Sequence, residues 1–138
     1  MSVGQIVLDA SVGVKWFRDE PGTDDALKLL HAHGRGEIGI VVPSLFVYEV
    51  VSVATRSMAI THGVEFWERF VSWRLSVVEV GASLVSEALA VRQELDCNFY
   101  DAVAPALARD LGARLCSADV RAHAGWPEVM LLPEPITS

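Results

Sequence analysis

The chain has very little lysine. Lys15 and Lys28 are its only two, both near the start, in 138 residues with a formal charge of −7. That balance argues against a basic clamp for nucleic acid, which carries a lysine and arginine surplus. It leaves nucleic acid open as a substrate, because a bound cation offsets acidity and eleven basic residues can still form a local patch. The same scarcity argues against a phosphoacceptor receiver, which needs a lysine after a late strand. No G-x-G-x-x-G follows the first apolar run, so a dinucleotide enzyme is disfavoured. Ser11 stands two residues after Asp9, where a haloacid-dehalogenase-like phosphatase needs a second aspartate. Cysteine is scarce too, and Cys97 and Cys116 read as reduced, buried thiols of a cytoplasmic protein. No apolar run is long enough to cross a bilayer and no signal peptide is visible, so no membrane partner is expected.

Half of the residues are hydrophobic, and the length suits one domain with a real core. Strand and helix signals alternate. Gln5 to Leu8 reads as a buried strand, and Ser11 as the N-cap of a short helix reaching Phe17. Pro21-Gly22 breaks that helix, and Thr23-Asp24-Asp25 opens another that ends at Gly34 and Gly36. Ile38 to Val42 is a second strand. Pro43-Ser44 turns the chain into a helix containing Glu49. Thr61 or Gly63 opens the next helix, with Phe66, Phe70 and Trp73 at helical spacing. Val77 to Val80 is a third strand. Ala82 to Leu95 is an amphipathic helix with Leu84, Ala88, Val91 and Leu95 on one face. A helix around Asp101, a strand at Arg114 to Cys116 and a last strand at Val129 to Leu132 follow. This alternation predicts an α/β fold, a three-layer α/β/α sandwich around a mainly parallel sheet of four to five strands. Residues 1–138 read as a single domain, with 133–138 as a peripheral tail.

Four carboxylates occupy informative places in this pattern. Asp9 and Asp119 follow strand ends, while Glu49 and Asp101 sit near helix starts. A parallel sheet can bring such places to one edge, and open α/β sheets bind ligands outside the carboxyl ends of their strands. Four acids in one pocket repel one another unless a cation neutralises them. The pattern therefore points to a divalent-metal site and to phosphodiester cleavage. The alternative for Asp9 and Asp119 is a cap or a turn, and for Glu49 a carboxylate pointing to solvent.

The segments Val7-Leu8-Asp9-Ala10-Ser11-Val12, Pro43-Ser44-Leu45 with Tyr48-Glu49-Val50, Tyr100-Asp101-Ala102 with Ala106-Leu107-Ala108, and Leu115-Cys116-Ser117-Ala118-Asp119 together resemble a PIN-domain ribonuclease. More narrowly they resemble a VapC-type toxin of a toxin–antitoxin pair. The resemblance spans nearly the whole chain. It implies a Mg2+- or Mn2+-dependent endoribonuclease that acts on RNA, forms a homodimer and is silenced by a cognate antitoxin. It also implies that Asp9, Glu49, Asp101 and Asp119 are catalytic and metal-ligating. Asp9 is then the central ligand, and Asp101 binds directly or through water. Asp119 completes the shell, and Glu49 serves a second ion or a metal-bound water. Ser117 takes the place of the hydroxyl before the last acid, orienting a carboxylate or water, or simply forming the turn. The alternative is a catalytically degenerate PIN-like binding or regulatory module.

Two departures stand out. Ser52 replaces an asparagine that the family often has three residues after the glutamate. Pro105 falls inside the Asp101 helix, where it removes a hydrogen bond and costs about 3 kcal/mol or more unless a kink absorbs it. The reading predicts a kink or a late helix start, either of which moves Asp101. If Asn98 caps that helix, its dipole favours the ionised carboxylate. Lys15, Arg18, Arg109 and Arg121 are candidates for phosphate contacts, though Arg121 can equally pair with an acid. His31 and His33 read as surface residues, and so does His123, for which the alternative is an approach to the site from four residues past Asp119. Trp16, Phe17, Trp67 and Trp73 read as packing residues, and a groove beside the Phe66–Trp73 helix suits an amphipathic antitoxin helix.

Overall fold

A computed structural model describes residues 3–56 and 58–133. The tail beyond Pro133 lies outside the described residues. Strand β1 (Gln5–Leu8) is followed by α1 (Ala10–Gly13), a 3-10 turn at Val14–Trp16, and α2 (Thr23–Gly34). Then come β2 (Gly39–Pro43), α3 (Ser44–Thr55), α4 (Ile60–Ser72), β3 (Ser76–Val78) and α5 (Ala82–Leu95). The chain continues through α6 (Phe99–Leu111), β4 (Arg114–Ser117), α7 (Val120–His123) and β5 (Met130–Leu131). The predicted elements are present, with ends that move by one or two residues where extended backbone leads into a turn.

The five strands pair in the order β3-β2-β1-β4-β5, all parallel. After β1 the chain adds strands on one side through β2 and β3, then crosses back to place β4 on the other. The order therefore reverses between β1 and β4, where open α/β sheets bind their ligands. Alternation along the strands separates two cores. Ile6, Leu8, Ile40, Val42 and Cys116 face α1 to α4, packed with Trp16, Phe46, Phe66 and Phe70. Val7, Val41 and Leu115, paired side by side in the register, face α5 and α6. This is the three-layer sandwich read from the sequence.

Gly13 shows how closely one layer is built. A Cβ there would lie 2.5 Å from Phe46 and 2.8 Å from Val50, so only glycine lets α1 rest on α3. The other layer is alanine-rich. Ala102, Ala104, Ala106 and Ala108 of α6 are all buried, and α5 and α6 pack along much of their length.

Two expectations about helix starts change. Ser11 does not cap α1. Asp9 does, with extended backbone and Oδ2 accepting from Ser11 N at 3.0 Å. Helix α6 does not begin late. Asn98 Oδ1 accepts from Asp101 N at 2.8 Å, and the helix runs unbroken across Pro105.

Candidate metal centre at the strand ends

Each of the four acids is delivered by a different piece of the fold. Asp9 directly follows β1, and its amide donates to Cys116 O at 2.9 Å, which ties it to β4. Asp119 lies two residues beyond β4 and caps α7, with Oδ1 accepting from Ala122 N at 3.1 Å. The capping alternative for both aspartates is thus real, and each cap uses one carboxylate oxygen. Each cap holds the rotamer and leaves the second carboxylate oxygen outside the cap bond. Glu49 sits in the second turn of α3, which starts where β2 stops. Asp101 sits in the first turn of α6.

All four acids share one electrostatic neighbourhood. Burial, then the fields of Asp9 and Asp101, push Glu49 up to about 7. Burial, then Asp119 and Asp9, hold the Asp101 carboxyl above its ordinary value, against the opposing pull of His123 and Arg121. Asp101 is therefore the hub, coupled to each of the other three. Repulsion among partly buried carboxylates is relieved by a cation.

The acids interact through this field rather than by contact. Among the described residues, no three His, Cys, Asp or Glu side chains stand close enough together to form a ready cation cage. An all-oxygen set of donors is the ligand type of a hard divalent cation. It does not suit a site built from soft ligands. Asp101 and Asp119 line a cleft of about 520 Å³ with Arg92, Cys97, Asn98 and Arg121. Asp9 and Glu49 line a smaller recess beside Tyr100, which is 63% exposed.

The remaining site readings divide. Ser117 is fully buried, and its hydroxyl accepts from Asp119 N at 3.0 Å, so it steadies the turn that carries Asp119. His123 is not a surface residue: it is 0% exposed, with both ring nitrogens hydrogen-bonded. His33 also departs from the surface reading, taking Ile40 N at 3.1 Å on Nδ1 and reaching Trp73 O with Nε2 at 2.9 Å. His31 is exposed. Lys15 is withdrawn from the phosphate candidates. It is 6% exposed, and its ammonium is taken by Glu20 and Pro21 O. Arg109 is taken by Glu87 and Glu94 of α5 and stands over the Trp126 ring. Arg18 is exposed, whereas Arg121 lines the acidic cleft.

Arg92 lines it too, and the sequence reading missed it. Its position on the exposed side of α5 carries no local signal, because the cleft forms only when α5 and α6 pack. Cys116 is buried as expected, but Cys97 is half-buried at the cleft. Trp16, Phe17 and Trp73 join one ring cluster with Phe46 and Phe66, as packing residues should. Trp67 stacks on Phe70 yet is 45% exposed.

The comparisons with known proteins bear on the fold and the family. No curated protein matches the sequence. The fold is similar to a toxin–antitoxin complex from Klebsiella pneumoniae, with TM-score 0.74 and 18% identity over 94% of this chain and 99% of that one. It is also similar to VapBC2 from Rickettsia felis bound to a promoter DNA fragment (TM-score 0.70, 17% identity, 92% and 96% covered). A third likeness is Mycobacterium tuberculosis VapC20, described as a Sarcin-Ricin loop cleaving toxin (TM-score 0.67, 19% identity, 93% and 99% covered). At these identities the likeness is one of fold. Residues 6–124 match the PIN domain, so the chain belongs to the PIN-domain family.

Proposed function

We propose that this chain is a Mg2+- or Mn2+-dependent endoribonuclease, a single domain that acts as the toxin of a VapBC-type toxin–antitoxin pair. The observation that carries the reading is Asp101, electrostatically coupled to Asp9, Glu49 and Asp119 where the strand order reverses. Asp9, Asp101 and Asp119 would hold a hydrated divalent ion, with Glu49 on a second ion or on a metal-bound water. When bound, the metal supplies a hydroxide-like water near neutral pH and offsets charge on the phosphoryl oxygens.

The chain's own residues do the rest. The Asp9 and Asp119 caps keep two carboxylates in fixed rotamers, so little ordering cost falls on substrate or ion binding. Arg92 and Arg121 give the cleft a cationic side suited to an RNA backbone phosphate. Ser117 keeps the Asp119 turn in place from beneath. Exposed Tyr100, beside Asp9 and Glu49, offers a ring face to an unstacked base.

An antitoxin and a second copy of the chain are the proposed protein partners, in keeping with the complexes among the similar folds. A groove between α3 and α4, lined by Val47, Tyr48, Trp67, Phe70 and Val71, suits the apolar face of an antitoxin helix. No described helix is long and apolar enough to cross a membrane, and the cytoplasm is the proposed compartment.

The test is cleavage of a pool of tRNA, rRNA and mRNA by purified protein beside Asp9→Asn, with Mg2+ or Mn2+ and with EDTA. Discrete cuts that need metal and vanish in the variant are expected. Metal binding without cuts on any cellular RNA favours a degenerate binding module. Cuts that persist in EDTA would remove the metal-dependent mechanism.

A further inference from the structure

Proline has no N–H. At position 105 in α6 it therefore leaves the carbonyl four residues earlier without its helical donor, and its ring crowds that carbonyl. The residue four earlier is Asp101, the hub of the acidic cluster. Its carbonyl is nonetheless paired: His123 Nε2 lies 2.6 Å away. A carbonyl can only accept, so the ring proton is on Nε2.

The other end of the ring continues the network. His123 Nδ1 is 2.6 Å from Ser117 Oγ. In the neutral ring it accepts the hydroxyl proton, which frees the Ser117 oxygen to accept from Asp119 N at 3.0 Å. Ser117 Oγ is also 3.4 Å from Ser11 Oγ, which accepts from Ala118 N at 2.9 Å. Ser11 in turn donates its amide to Asp9 Oδ2. One network, buried at Ser117 and His123, thus reaches the backbone or carboxylate of Asp9, Asp101 and Asp119. His123 is 0% exposed, so it meets neither RNA nor bulk water.

We propose that His123 is a positioning residue that holds Asp101 in the acidic cluster through its backbone carbonyl, replacing the helical hydrogen bond that Pro105 removes. The proposal rests on the reading of Asp101 as part of the metal centre. It makes Pro105 and His123 interdependent. With an N–H at position 105 the Asp101 carbonyl is satisfied inside α6, and the imidazole becomes dispensable for placing Asp101.

The test is a double-mutant cycle read by Mn2+ calorimetry, by kcat and KM on a cleaved RNA, and by thermal unfolding. His123→Phe, which fills the space without a donor, should weaken Mn2+ binding about tenfold, as loss of an outer hydrogen bond does at metal sites. It should lower kcat more than it raises KM. In the Pro105→Ala background the same change should cost less than about threefold, the coupling expected of residues that share one network. His123→Gln, whose amide N–H reaches toward the same carbonyl, should retain most of the affinity. Equal losses in both backgrounds would mean that His123 only fills space and would overturn the proposal.

Should His123→Phe fail to fold, 15N NMR of the wild-type imidazole decides. A proton on Nε2, with a resonance that shifts in Pro105→Ala, supports the assignment. A ring protonated on Nδ1 alone overturns it. Unchanged Mn2+ binding in Asp101→Asn would be a different failure, that of the metal centre itself.

Discussion

On one face of the sheet the helices pack with Trp16, Phe46, Phe66 and Phe70, and on the other α6 is buried through Ala102, Ala104, Ala106 and Ala108 beside Val103 and Leu107. The aromatic layer fills its space with large rings in edge and tilted contacts and leaves an apolar groove between α3 and α4. The alanine-rich layer carries mostly short side chains, with Val103 and Leu107 as the larger ones on α6, so the α6 backbone lies close to β1, β4 and α5. Each layer delivers one acid, Glu49 from the aromatic side and Asp101 from the alanine side, while Asp9 and Asp119 come from the sheet between them. The difference teaches where each acid's placement originates. Glu49 rides on a helix seated by large rings. Asp101 rides on a backbone fixed by small residues, with His123 holding the carbonyl that Pro105 leaves open.

Breaking the aromatic layer should have the largest effect on stability. Phe46→Ala removes a ring packed on Trp16 and on Gly13, and should cost about 3–5 kcal/mol in chemical denaturation. A cost below about 1 kcal/mol would mean that the layer collapses into the space. Overfilling the alanine layer comes next. Ala106→Leu should cost about 1–3 kcal/mol, and it should lower metal affinity more, for each unit of stability lost, than Phe46→Ala does. Urea unfolding paired with Mn2+ titration of both variants checks that ratio, and equal ratios would erase the distinction between the layers.

The smallest expected effect is on pH dependence. Glu49 has a folded-state value near 7 against an ordinary 4.5, raised first by burial and then by Asp9 and Asp101. The folded protein therefore holds a proton there that the unfolded chain has released. The Glu49 contribution to stability is full below about 4.5 and is lost as pH rises through 7. Because the carboxylate is partly exposed to screening solvent, the loss should be about 1 kcal/mol. Thermal unfolding of metal-free protein between pH 5 and pH 8 should show this slope. Glu49→Gln should flatten it, and so should added Mg2+. A slope unchanged in Glu49→Gln would assign it to other groups.

The elements were legible because their signals are local. Ile6-Val7-Leu8 and Ile40-Val41-Val42 are apolar and mostly β-branched, and the Leu84, Ala88 and Val91 spacing marks one helical face. The four acids were legible as positions relative to those elements, and the fold carries all four to one end of the sheet. The burial of His123 was not legible. It depends on a carbonyl 22 residues away in sequence and a hydroxyl six away, which meet only when α6, β4 and α7 have packed. Lys15 was misjudged because its neighbours in sequence, Glu20 and Pro21, fold back to cover it. Ser11 and Asp9 are both good caps, and the extended backbone at Asp9 decided between them.

The central claim is that acids from two unlike layers and from the sheet act as one metal centre. Calorimetric Mn2+ titration of wild type beside Glu49→Gln, Asp101→Asn and the double variant tests it most directly. The account predicts that each single change weakens binding by about tenfold or more, and that the double variant loses much less than the product of the two because they serve the same ion cluster. Wild-type affinity in Asp101→Asn, with the protein still folded, would contradict it.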